Sequence, residues 1–203
     1  MATRYSLTCI NNSNRSGSFA IFQRPPPIDG GGPIYAVTWF ASLSAPQTRM
    51  TFEWTIDYSF VRAETGVLLP GVTFIASQAI PADPMGKNLI ELATDNYGMT
   101  YFTPPETYGR AGTLTIQQWG NVAQDRTSCG IGMSGAAIYA VQAAQNITTV
   151  FKPHPDYWVA FGRFNVREVV DFQQITGKVE VPYQAPVTSR TVTLQPDNLL
   201  VVS

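Results

Sequence analysis

The chain has 203 residues, of which 44% are hydrophobic and 12% aromatic, ample material for a core, while only 13% are charged, about half of the roughly 25% usual in soluble domains. Its 13 Lys and Arg nearly cancel 14 Asp and Glu, so no net field draws phosphate backbones or acidic membranes, and nucleic acid is excluded as an expected partner. Sparse charge with little net charge also weakens the repulsion that keeps copies apart, which favours a homo-oligomer.

The opening Met1-Ala2-Thr3-Arg4-Tyr5-Ser6 shows no apolar leader or small-residue cleavage site, which predicts a cytoplasmic product. Tyr5, Leu7 and Cys9 alternate with polar residues as a first strand, and residues 11–17 supply a turn. A strand follows over 18–23, then the Pro25 to Pro33 stretch, stiff at its proline end and loose at its glycine end, reads as an exposed connecting loop. Residues 34–40 read as the next strand. Met50, Phe52, Trp54, Ile56 and Tyr58 then alternate with Thr51, Glu53, Thr55 and Asp57, which predicts one long strand with one buried face.

Further strands are expected over 72–77, 99–102, 113–118, 137–143, 148–151, 157–164 and 178–181, with turns at 81–86, 104–109, 165–167 and 182–186. Val192 and Leu194 repeat the alternation near the end, making the two termini candidates for pairing. No amphipathic helix, fixed-period repeat or linker emerges, and the longest apolar run, 131–144, is interrupted by Gly and Ser and is too short to span a bilayer as a helix. These signals predict a single all-β domain over 1–203, an antiparallel β-sandwich of jelly-roll type, with a closed barrel as the alternative.

The segments that suggest chemistry also have structural explanations. Gly130-Ile131-Gly132-Met133-Ser134-Gly135 matches the dinucleotide fingerprint in letters, but it lacks a preceding buried strand and a following helix, so close packing of backbones or subunits is the better reading and no cofactor is expected. Ser134 could act as a hydrolase nucleophile only with His154, the one histidine, which stands between Pro153 and Pro155 and reads as a turn residue. Glu53 and Asp57 would share one strand's polar face, a glycosidase-like pair or simply solvated charges. Cys9 and Cys129, far apart in sequence, read as reduced buried thiols, and the Asn11 and Asn146 sequons read as turn residues; no metal site is expected. Trp119, at a strand-to-turn boundary, is the best candidate for an exposed ring, and Tyr157-Trp158 and Trp39-Phe40 place adjacent rings on opposite faces.

The run Thr51-Phe52-Glu53-Trp54-Thr55-Ile56-Asp57-Tyr58-Ser59-Phe60-Val61, with Glu64-Thr65-Gly66 and Leu69-Pro70-Gly71-Val72, resembles the rhizosphere-expressed RhiA family of bacterial proteins. So do Gly130 to Ala136, the 139–143 strand and Pro153-His154-Pro155 with Tyr157 to Gly162, in the same order. The resemblance runs from the first strand to about Leu194, with the Pro25 to Pro33 loop as a departure. It implies an abundant intracellular bacterial protein, in the founding case induced by quorum sensing near plant roots, and it brings no catalytic residues to transfer.

Together these readings predict a soluble, non-catalytic sandwich protein that acts by self-association or partner binding, with Gly130, Gly132, Ser134, Gly135 and His154 as interface or structural elements. The alternative is a carbohydrate- or small-ligand-binding module using Trp119, Tyr157 and Trp158. A serine hydrolase built on Ser134 and His154 is the remote third reading.

Overall fold

The computed structural model describes residues 3–28 and 32–203, so Met1, Ala2 and the centre of the Pro25 to Pro33 stretch, Asp29 to Gly31, lie outside the described residues. In chain order the first strands are β1 (Arg4–Asn11), β2 (Gly17–Gln23), β3 (Ile34–Val37), β4 (Phe40–Ser44), β5 (Arg49–Thr55) and β6 (Tyr58–Ala63). Then come β7 (Gln78–Ala82), β8 (Leu89–Thr94), β9 (Thr100–Phe102), β10 (Leu114–Gln118), β11 (Ser128–Met133) and β12 (Ala136–Gln142). The chain ends with β13 (Thr148–Phe151), β14 (Tyr157–Gly162), β15 (Val169–Val170), a 3-10 turn at Phe172–Gln174, β16 (Val179–Glu180), β17 (Ser189–Leu194) and β18 (Leu200–Val202).

Four sheets result, ordered β18-β17-β1-β5, β16-β14-β2-β4, β15-β3-β12-β11-β6-β7 and β13-β10-β8-β9. None closes into a barrel, and all four supply side chains to one contiguous core, among them Leu7, Phe19, Trp54, Phe60, Ile90, Ile116, Ile131, Val159 and Val192. The fold is an all-β sandwich. Its pairings are antiparallel except two: β1 runs parallel to β17, so the two ends of the chain do pair, and β8 runs parallel to β10.

Two strands expected to be continuous change sheets part-way. The 50–58 alternation holds for Met50, Phe52 and Trp54, but the chain turns after Thr55, Ile56 is exposed, and Tyr58 begins β6 in another sheet. Residues 34–40 likewise divide at Thr38-Trp39 into β3 and β4, in different sheets. Such corners let one chain supply both layers of a sandwich. The expected 72–77 strand reduces to a single bridge between Thr73 and Glu168, while β7 forms over Gln78–Ala82 and includes Pro81, read from sequence as a turn residue. β7 is a sheet edge, where a proline costs no ladder hydrogen bond. The proline end of the Pro25 to Pro33 stretch is less exposed than expected, since Pro26 is buried.

Burial on both faces explains the apolar runs. In β2, Phe19 and Ile21 enter the main core, while Ala20 and Phe22 join Ala160, Val170, Phe172 and Ile175 in a second cluster on the opposite face. Cys9 and Cys129 are free and buried, and loss of hydration around a thiolate pushes both up to about 12 from 9.0. The Tyr58 phenol rises to about 12 and that of Tyr139 well above 10.0, again mainly through burial. An acid kept neutral in the fold but free to ionise in the unfolded chain contributes stability that is complete below its unfolded pKa and lost as pH rises through the folded one. The urea midpoint should therefore fall as pH rises from 9 towards 12. At neutral pH a thiol reagent should label neither cysteine until the protein unfolds; labelling of the native protein would contradict this burial.

Candidate functional site

The glycine-rich segment is a β-hairpin. β11 and β12 pair antiparallel with Met133 opposite Ala136, joined by Ser134 and Gly135 at φ 50 and φ 78. Two consecutive positive φ values mark a type I′ turn, whose twist matches the flanking strands. The Ser134 N–H donates to the Asp57 carbonyl at 3.0 Å, and its Oγ accepts from the Thr55 N–H at 3.3 Å, so the serine pins the hairpin to the corner between β5 and β6. A Cβ on Gly130 would overlap the Tyr139 carbonyl oxygen, and one on Gly132 would stand 2.6 Å from Ser59 Oγ and 3.0 Å from the Ala136 carbonyl oxygen. The small residues serve close strand packing.

His154 is exposed and lines a cleft of about 560 Å³ with Arg24, Pro25, Pro26, Pro27 and Asp156. The buried Asp156 carboxylate pairs with Arg24 at 2.6 Å and accepts the Trp158 indole N–H at 2.9 Å. The Arg24 carbonyl in turn accepts the Tyr139 hydroxyl at 3.1 Å, so these bonds tie the triproline segment to the start of β14 and to β12. Ser134 lines a different, smaller cleft with Arg4, Glu53, Trp54 and Thr55. The structure thus separates Ser134 from His154 and gives the triad reading no geometric support. Glu53 pairs with Arg4 at 3.5 Å, whereas Asp57 lies past the end of β5 and accepts from the Thr55 hydroxyl, so these two carboxylates do not share a strand. Among the described residues no group of three His, Cys, Asp or Glu side chains is placed to hold a metal.

The expected ligand-binding rings separate. Tyr157 is 3% exposed and sits among Trp39, Trp54 and Tyr183 in the core, so its face is closed to a surface ligand. Trp158, on the opposite face of β14, is half-buried and packs edge-on against Phe172 at 5.6 Å. Both faces of β14 are covered, which is why neither ring stands free. Trp119 is 46% exposed, where the sequence places an open ring.

Around Trp119 the fold assembles a surface. The Thr115 N–H donates to the Asn88 carbonyl and the Trp119 N–H to the Leu92 carbonyl, and because Thr115 stands opposite Leu89, the same offset sets Trp119 opposite Ala93. Ala93 is opposite Tyr101, which is 40% exposed on the edge strand β9. Ile90, Leu92 and Ile116 face the core, so alternation carries Glu91, Ala93 and Gln117 to the outer face. Tyr97 lies at the tip of the β8–β9 hairpin, where the Asp95 carboxylate accepts the N–H groups of Tyr97 and Met99, and Tyr108 lies in the loop before β10, which Asn88 holds at Gly109 and Arg110. Tyr97, Tyr101, Tyr108 and Trp119 are the exposed aromatic rings of the described residues, with the exposed Met99 between the first two in sequence. Sequence reasoning missed the three tyrosines; the available signal was an aromatic inside turn sequence, at Asn96-Tyr97-Gly98 and Thr107-Tyr108-Gly109, where a ring is poorly placed to reach a core.

Two glycine substitutions should separate packing from turn conformation in the hairpin. Gly130→Ala forces two backbones apart and should cost about 3 kcal/mol. Gly135→Ala meets open space and only a left-handed backbone, and should cost about 1 kcal/mol. Urea unfolding midpoints give the order, and equal losses would contradict the tight contact at Gly130.

The RhiA family model matches residues 2–203. Protein RhiA of Rhizobium leguminosarum bv. viciae is 34% identical over 201 residues, an alignment that covers 97% of this chain and 84% of that protein. No solved structure gives a significant match. No helix among the described residues is long and apolar enough to cross a membrane. With nearly the whole chain matched by the family and by this relative, the chain belongs to the RhiA family.

Proposed function

We propose that this protein works by non-catalytic recognition, and that its working surface is the outer face of the β13-β10-β8-β9 sheet with the loops that join its strands. One observation carries the reading: the exposed aromatic rings of the described residues all stand on that sheet and its loops, in a chain whose other rings are packed inside or half-covered. Leaving Tyr, Trp and Met side chains in water forgoes burial energy, and these are the residues enriched where proteins meet partners. The tethered Ser134 and the separate cleft of His154 favour recognition over hydrolysis.

Self-association is a second mode, favoured by the low charge and by the edge strand β18, in which Val201 is exposed with Leu199 just before it. Light scattering across a wide concentration range tests it. Mass that grows with concentration, and is reduced by Val201→Lys but not by Trp119→Ala, assigns assembly to the strand edge. The converse assigns it to the aromatic face, and a strict monomer contradicts self-association.

A further inference from the structure

We infer that the outer face of the β8–β9–β10 region is a binding platform for a neutral saccharide, an inference that rests on the recognition reading above and names its ligand class. The ladder sets two cross-strand rows side by side. The first is Trp119–Ala93–Tyr101, two half-exposed aromatic residues flanking a small one. The second, two residues away along the strands, is Gln117–Glu91–Thr103, an amide, a carboxylate and a hydroxyl; Gln117 is opposite Glu91 in the register, and the Thr103 N–H donates to the Glu91 carbonyl at 3.0 Å.

The geometry suits a sugar chain. Trp119 and Tyr101 are two strand spacings apart, about 10 Å between backbones, roughly the length of a disaccharide unit. Ala93 between them is 1% exposed, so the row presents its two rings and no third side chain. Aromatic faces take the C–H faces of pyranose rings, while the adjacent polar row stands where ring hydroxyls would point. The Gln117 amide and the Glu91 carboxylate make no side-chain hydrogen bond among the described residues, although other polar side chains, such as Asn11, Asn88 and Gln142, are consumed in fixing loops. These two groups are therefore spare to the fold and open to a ligand.

Charge narrows the class. The two rows hold one carboxylate, Glu91, and no cation, which disfavours nucleic acid and acidic polysaccharide and leaves a neutral, hydroxyl-rich polymer. Tyr157 and Trp158 take no part, since one is in the core and the other is packed on Phe172.

The test is affinity electrophoresis of the full chain in native gels cast with a soluble β-glucan, galactomannan or xylan, with polygalacturonate as the acidic control. At least one neutral polymer should retard the protein. Trp119→Ala and Tyr101→Ala should each weaken that retardation about tenfold. Gln117→Ala should weaken it several-fold, and Leu43→Ala, exposed on β4 in a different sheet, should leave it unchanged, with circular dichroism establishing that each variant is folded. No retardation by any neutral polymer, equal retardation by polygalacturonate, or retention that ignores Trp119 and Tyr101 overturns the saccharide assignment. If glycans fail but Trp119→Ala abolishes a concentration-dependent gain in mass, the recognition surface stands with a protein partner. If glycans fail and that variant also leaves the mass unchanged, the recognition reading loses its support as well.

Discussion

The sandwich depends on Trp54. Its ring lies within 4.9 to 6.3 Å of those of Tyr157, Trp39, Tyr183, Phe40 and Tyr5, which come from β14, the corner before β4, the loop after β16, β4 itself and β1. One side chain on β5 thus ties its own sheet, through β1, to the sheet that holds β4 and β14. Trp39 extends the tie to the third sheet by donating its indole N–H to the Met133 carbonyl at 2.9 Å. Aromatic contacts of this kind contribute beyond the area they bury.

Because the layers are locked by rings at the corners, the strands are free to change sheets there. β3 to β4 and β5 to β6 each switch layers next to one of the two tryptophans, and the β11–β12 hairpin closes over the second corner through Ser134. The segments that mimic enzyme motifs are parts of this framework: the glycines let β11 and β12 approach, the serine anchors their turn, and Asp156 beside His154 fastens the triproline segment through Arg24. Chemistry-like spelling here records backbone crowding and corner geometry. The β13-β10-β8-β9 sheet shares the core through Ile90, Leu92, Leu114 and Ile116, yet contributes no ring to the Trp54 cluster, and its outer face is where aromatic residues remain in water.

The fold class and the pairing of the termini were legible because a two-residue period survives in β1, β5 and β17, each with one face in the core. The corners were not, because Ile56 and Tyr58 continue the alternation after the chain has turned, and no glycine or proline marks the change. β8 was missed for another reason: Leu-Ile-Glu-Leu-Ala-Thr is rich in residues without strand preference, and its β character comes from lying between β9 and β10. Of the site, Trp119 could be found from its place beside a turn. Tyr101 could not, because its exposure follows from β9 being an edge, which is a property of sheet order and not of sequence period. The burial of Tyr157 was hidden too, since adjacent aromatics on a strand look alike until both faces are known to be covered.

The aromatic residues divide between a ring cluster that joins the layers and one exposed face, the surface proposed for recognition. Hydroxyl-radical footprinting of the native protein, read residue by residue by mass spectrometry, measures that division directly. Heavy oxidation is expected at Tyr97, Tyr101, Tyr108 and Trp119, with Trp39, Trp54, Tyr139 and Tyr157 protected until the protein unfolds. Comparable oxidation of the two groups in the folded protein, or protection of Trp119 and Tyr101 in a dilute monomer, would contradict this division.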